Sequence, residues 1–167
     1  MVLFVCRHPK RDAPWRRALF AVFAAMVLAG CATKAVEPGM SRDAVLARMG
    51  QPDRVLAMAQ GTRLQYTGQP AGQFAFMVDL DPSDHVMQSR QVLQAHEFAR
   101  IEVGKWTRAD VEREFGRPAS VDRVANWPTN ILTYRWYESQ DMFFWIYLDS
   151  ENIVQRTQQG IEYHHDD

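Results

Sequence analysis

Cysteine is scarce in this 167-residue chain, which has only Cys6 and Cys31. Removal of the first thirty residues as a targeting segment leaves Cys31 alone, so the mature chain can form no intrachain disulfide even in an oxidising compartment. A membrane-spanning run is lacking too. The apolar stretch Ala18 to Leu28 holds eleven residues, short of the ~20 a spanning helix needs, and suits the h-region of a signal peptide. Excess positive charge is also missing. Residues 1–30 carry five of the 19 basic and one of the 20 acidic side chains, so the remainder has a formal net charge of −5. That balance, with no basic stripe, argues against nucleic acid or anionic headgroups as the main partner. No phosphate-cradling glycine loop, paired catalytic acid or mature cysteine nucleophile is present. His85 sits in a turn, His96 in a linker, and His164-His165-Asp166-Asp167 reads as a polar tail rather than a metal site. No enzyme activity, metal, cofactor or small-molecule substrate is therefore expected.

The targeting segment itself is informative. Arg7, Lys10, Arg11, Arg16 and Arg17 form a basic n-region ahead of the apolar run. Its end, Leu28-Ala29-Gly30-Cys31, resembles the lipobox of bacterial lipoproteins. The resemblance implies cleavage before Cys31 and attachment of diacylglycerol to its sulfur, with fatty acyl chains such as palmitate holding the protein on its membrane. Two or three chains make a stable anchor where one is marginal. Ala32 follows the modified cysteine, which implies outer-membrane sorting with the globular part in the periplasm. Residues 31–38 form a lipidated tether.

The mature chain then repeats itself. Ser41, Val45, Gly50 and Pro52 recur as Thr107, Val111, Gly116 and Pro118 at a constant offset of 66. Leu64, Tyr66, Leu80-Asp81 and Val86 recur as Leu132, Tyr134, Leu148-Asp149 and Val154 at an offset of 68. Neither copy repeats a reactive constellation, so the duplicated object is a scaffold. The organisation expected is a signal peptide over 1–30, the tether 31–38, a first repeat over 39–92, a linker helix within 93–103, a second repeat over 104–160 and a polar tail over 161–167.

Within each copy the punctuation predicts a short helix. Ser41 and Thr107 are N-caps, the second heading a capping box with Asp110, and Gly50 and Gly116 end the helices ahead of Pro52 and Pro118. Alternating patterns around Leu64 to Tyr66, Phe74 to Leu80 and Val86 to Val92 then predict three strands, matched near 130–137, 142–149 and 153–158. The fold class expected is α+β, two tandem helix-plus-three-stranded antiparallel units packed together, since each unit alone is marginal in size.

The stretch Pro38-Gly39-Met40-Ser41-Arg42-Asp43-Ala44-Val45 through Gly50-Gln51-Pro52, with the Leu64/Tyr66 strand and the Leu80-Asp81 turn, resembles the SmpA/OmlA domain of BamE-like outer-membrane lipoproteins. Phe98-Ala99-Arg100-Ile101-Glu102-Val103-Gly104 resembles the segment leading into that domain. The resemblance implies an accessory subunit of the outer-membrane β-barrel assembly machinery, with an envelope protein as partner, barrel-assembly subunits among the candidates. The chain departs from BamE in carrying two copies. Tandem copies of a similar helix-plus-sheet unit also occur in secreted β-lactamase-inhibitor proteins, whose disulfides this chain lacks, so an inhibitor or chaperone-like binder of a periplasmic enzyme with a concave aromatic sheet is the alternative.

Aromatic residues are distributed unevenly. Trp106, Trp127, Trp136 and Trp145 all belong to the second copy. On the strand aligned with Ala75, Met77 and Asp79, the second copy places Phe143, Trp145 and Tyr147 on the face away from the helix. These three, with Arg135, Trp136 and Tyr137, are the candidate partner-binding residues, because Trp, Tyr and Arg dominate interface energetics. Packing of the three against the other repeat or the linker helix is the competing expectation.

Overall fold

A computed structural model describes residues 36–163. The signal segment, Cys31, most of the tether and the tail from His164 lie outside the described residues. Chain order runs α1 (Arg42–Met49), β1 (Arg54–Met58), β2 (Gly61–Thr67), β3 (Ala75–Leu80), β4 (Val86–Gln91), α2 (Ala95–Phe98), α3 (Arg108–Phe115), β5 (Ser120–Val124), β6 (Trp127–Tyr137), β7 (Asp141–Leu148) and β8 (Val154–Ile161). No helix among the described residues is long and apolar enough to cross a membrane.

The fold is mostly β, with two four-stranded antiparallel sheets ordered β1-β2-β3-β4 and β5-β6-β7-β8. This corrects the expected α+β class of two helix-plus-three-strand units. The additional strands are β1 and β5, both at sheet edges and both outwardly exposed, β5 along its whole length. Backbone pairing to β2 and β6 holds them. A strand secured by its ladder rather than by burial carries no amphipathic alternation to read.

The copies match down to their irregularities. Ser41 Oγ accepts from the Ala44 N–H, and Thr107 and Asp110 form a reciprocal capping box. Gly50 and Gly116 follow their helices at φ +83° and +78°, a region L-residues with a Cβ enter at a cost. The carbonyls of those glycines accept the hydroxyls of Tyr66 and Tyr134, at 3.1 and 2.8 Å. Asp81 and Asp149 each accept two backbone N–H groups in the β3–β4 and β7–β8 turns, and a register shift falls at Asp79/Leu80 and again at Tyr147/Leu148.

Between the sheets lies α3. On one side Val111 and Phe115 join Leu132, Tyr134, Phe144, Ile146 and Leu148 in the larger core, and Ala75 and Met77 of the first sheet close that core from the other side. Phe98 of α2 stacks on Phe144 within it, at 4.0 Å between centroids. The smaller core, Val45, Leu64, Tyr66, Val78, Leu80 and Val86, lies between α1 and the opposite face of the first sheet.

The face of the first sheet turned to α3 is polar as well as apolar. Arg63, 5% exposed in its side chain, forks onto Asp79 at 2.6 and 3.0 Å and reaches the Arg113 carbonyl and Glu114 at 3.1 Å. Gln65 donates to the carbonyls of Glu112 and Arg113 at the end of α3. Burial pushes the Asp79 carboxyl up, but the hydrogen bonds and charge of Arg63 outweigh it and hold the group below its ordinary value. Glu97 is likewise raised by burial and lowered further by Arg100 and Arg90.

A second clasp joins the copies. Strand β5 cannot extend past Pro118, which lacks an N–H, so Arg135 of β6 faces an unfilled edge. The Gln69 side chain, 4% exposed, fills it: its amide donates to the Arg135 carbonyl at 2.6 Å and accepts the Arg135 N–H at 3.2 Å. In the first copy Asp53 does this job locally, accepting the Thr67 N–H at 2.6 Å. The second copy has Ala119 at the position of Asp53.

Candidate functional site

The equivalent face of the second sheet has no such cover among the described residues. The strand register arranges it in rows: Asp122, Ile131, Tyr147 and Arg156; then Ser120, Thr133, Trp145 and Gln158; then Arg135, Phe143 and Gly160. Phe143, Trp145 and Tyr147 therefore project together, away from α3 and the first sheet, and are half-buried. The ring contacts of these three run to one another and to Trp127, Arg156 and Gly160 of their own sheet.

Phe143 lies 5.6 Å from Trp145, centroid to centroid. Trp145 lies over Gly160, where a Cβ would stand 2.9 Å from the indole. Tyr147 meets the edge of Trp127 at 5.2 Å, and the Arg156 guanidinium sits 4.0 Å above the tyrosine ring. The Tyr147 hydroxyl donates to Gln158 Oε1 at 3.2 Å. Thr133 donates to Asp122 at 2.7 Å. Together Asp122, Val124, Ile131, Thr133, Trp145, Tyr147 and Gln158 line a shallow depression of about 360 Å³.

The other candidates divide. Arg135 belongs to this face and is braced by Glu162 at 2.8 Å and by the Pro70 carbonyl at 2.6 Å. Tyr137, 61% exposed, is the most open aromatic of the set. Trp136 does not belong: it shares strand parity with Leu132 and Tyr134, points into the larger core and is 1% exposed. Trp127 and Arg156 are the residues that the sequence reasoning left out of the candidate set. The polar pattern of β8, Gln155-Arg156-Thr157-Gln158, hides a cation whose place over two rings follows only from register. Cys31 lies outside the described residues.

Chemically this arrangement offers aromatic area, one stacked guanidinium, the Asp122 carboxylate, the Arg135–Glu162 ion pair and neutral hydrogen-bonding groups, the residue types that make contact surfaces. Among the described residues no group of three or more His, Cys, Asp or Glu side chains could hold a metal ion.

Comparison with protein-family models and with curated proteins finds no match. Among solved structures the chain is similar to a DUF4309 family protein, YjgB, from Bacillus subtilis, at 12% identity, with 73% of this chain and 78% of that one covered and a TM-score of 0.30. A likeness this distant carries no argument about function.

Proposed function

We propose that this chain is a lipid-anchored, non-catalytic adaptor of the outer membrane, of the BamE-like type, which docks an envelope protein on the outer face of its second sheet. The observation that carries the reading is the contrast between duplicates. The first sheet's polar-aliphatic face is shut by α3, whereas the second sheet's aromatic face keeps Phe143, Trp145 and Tyr147 partly exposed, with the exposed Tyr137 at one end. Leaving such area in water is costly at roughly 25 cal/mol per Å², and a bound partner recovers that cost. The lipobox-like Leu28-Ala29-Gly30-Cys31 supplies the anchor in this reading.

A photocrosslinker in place of Tyr137, exposed and outside both cores, tests the docking in intact cells. Recovery of a barrel-assembly subunit supports the adaptor; recovery of one soluble hydrolase supports an inhibitor instead. Cys31→Ser, followed by labelling with a palmitate analogue and membrane fractionation, tests the anchor. Undiminished labelling of the variant would sink it.

A further inference from the structure

We infer that the cleft between β1 and the end of α3 is a binding site for a free amino acid with an apolar side chain. It uses none of the residues of the Tyr137 face and stands independently of the adaptor reading. Its inner chamber, about 210 Å³, is lined by Asp53, Arg54, Gln65, Thr67 and Arg117. Arg54 and Arg117 also line an outer basin of about 480 Å³.

Gln65 carries the decisive atom. Arg54 and Gln65 are directly paired across β1 and β2, so both side chains stand on the sheet face turned to α3. Gln65 is 1% exposed and spends its Nε2 on the Glu112 and Arg113 carbonyls, at 3.0 and 2.9 Å. Its Oε1 accepts nothing among the described residues. A buried acceptor without a donor is costly, and here an N–H supplied from the chamber would satisfy it. Asp53 is held alongside by its N–H, which donates to the Gln65 carbonyl at 2.8 Å. Its Oδ2 accepts the Thr67 N–H, and its other oxygen is the second acceptor at this end.

The remaining lining is cationic. Arg117 follows Gly116, is exposed, and makes no hydrogen bond or ion pair among the described residues. Arg54, with its side chain 46% exposed, reaches Glu112 Oε2 only at 3.5 Å, while Arg108 holds the other oxygen of Glu112 at 2.7 Å. Arg54 can therefore turn to a ligand without leaving Glu112 unpaired.

Unspent acceptors and available guanidinium groups around one small chamber suit a ligand with a cationic donor and an anion close together. An α-amino acid carries its ammonium and carboxylate on one carbon. A simple anion would leave Gln65 Oε1 unmatched and meet the Asp53 carboxylate; a simple amine would leave Arg117 idle. Beyond the Arg108–Glu112 pair the outer basin is walled by Pro70, Pro118, Ala119 and Val121, which fits an apolar side chain.

The second copy dismantles this set. The positions of Asp53, Arg54, Gln65 and Thr67 hold Ala119, Ser120, Thr133 and Arg135 there. Ser120 pairs with Thr133 as Arg54 does with Gln65, but the Thr133 hydroxyl is spent on Asp122 at 2.7 Å. Caps, turns and core positions recur between the copies, whereas these four positions do not.

Isothermal titration calorimetry of the full chain in detergent with leucine, at neutral pH and low salt, tests this. Binding should saturate at one leucine per chain. Isocaproate, which lacks the ammonium, and isoamylamine, which lacks the carboxylate, should each bind about tenfold more weakly or worse. Arg117→Gln should weaken leucine by about tenfold and narrow its advantage over isoamylamine. Asp53→Asn, which keeps an oxygen for the Thr67 N–H, should weaken leucine comparably and narrow its advantage over isocaproate. Arg117 has no bond to lose, so an unchanged melting temperature verifies that its variant folds. Absence of leucine binding overturns the inference, as does either half-molecule binding as tightly as leucine, or Arg117→Gln binding leucine as the parent does.

Discussion

Replacing Arg63 by methionine removes the cation that joins the copies while keeping an unbranched side chain of similar length. The guanidinium makes two bonds to Asp79 and one each to the Arg113 carbonyl and Glu114, with its side chain 5% exposed and those of Asp79 and Glu114 at 8% and 11%. Removing one member of a buried ion pair leaves the other charged and desolvated, at about 3–5 kcal/mol. Gln88 still donates to Asp79 at 2.9 Å, and Arg100 still reaches Glu114 at 3.5 Å, which favours the lower end of that range. Against a total stability of about 5–15 kcal/mol, the loss should be plain in urea unfolding and should lower the melting temperature by about 10–20 °C. The decisive measurement is the double variant Arg63→Met/Asp79→Leu. With both charges gone the desolvation penalty on Asp79 disappears, so the pair should be more stable than Arg63→Met alone by about 1–3 kcal/mol. A single-variant loss below about 1 kcal/mol, or additive losses in the double, would refute the claim that Arg63 neutralises a buried carboxylate.

Three further outcomes follow from the geometry. Stability should fall in acid: Asp79 and Glu97 have folded values below their ordinary 3.8 and 4.5, so their contribution is present above those values and lost as pH drops through the lower folded ones. Melting curves from pH 6 to 3 should show this, with Glu97→Gln less stable at pH 6 and flatter across the range. Gly160→Val should cost about 1–3 kcal/mol by driving a side chain into the Trp145 ring, and should shift tryptophan emission; an unshifted spectrum would contradict the packing. Thr107→Ala should cost about 1–2 kcal/mol through its capping box, more than Ser41→Ala with its single 3.3 Å bond, and equal losses in paired denaturation curves would count against the reciprocal cap.

How far the chain could be read depended on how local each feature is. The helix caps at Ser41 and Thr107, the left-handed glycines after each helix and the turns built on Asp81 and Asp149 each need only a few neighbouring residues, so their patterns are visible in one dimension. The alternation of Met142, Phe144, Ile146 and Leu148 likewise announces which side of β7 is core. Strands β1 and β5 were illegible because their side chains bury little and the partners that secure them supply only backbone. Burial of Ala75, Met77 and Asp79 under α3 was equally hidden, since that cover arrives from the other repeat and is held largely by polar bonds. Trp136 is a different failure: its shared parity with Leu132 and Tyr134 was available, and composition was weighted above alternation. That Phe143, Trp145 and Tyr147 share the face of β7 away from the core was readable from alternation, but not the stacking of Arg156 or the support from Gly160.

The exchange of Asp53 for Ala119 has an implication for how this molecule can be taken apart. In the first copy the edge beside Thr67 is finished by a residue of the same copy; in the second, the edge beside Arg135 is finished by Gln69, borrowed from its neighbour. The copies are consequently not interchangeable modules. Two first copies in tandem would each be self-sufficient at this edge and would lose the clasp, while a second copy standing alone would carry a frayed strand with a raw N–H and carbonyl. Dependence runs one way, which gives the duplication a direction: the leading half completes the trailing half at this edge, and swapping their order would break the joint while retaining every residue.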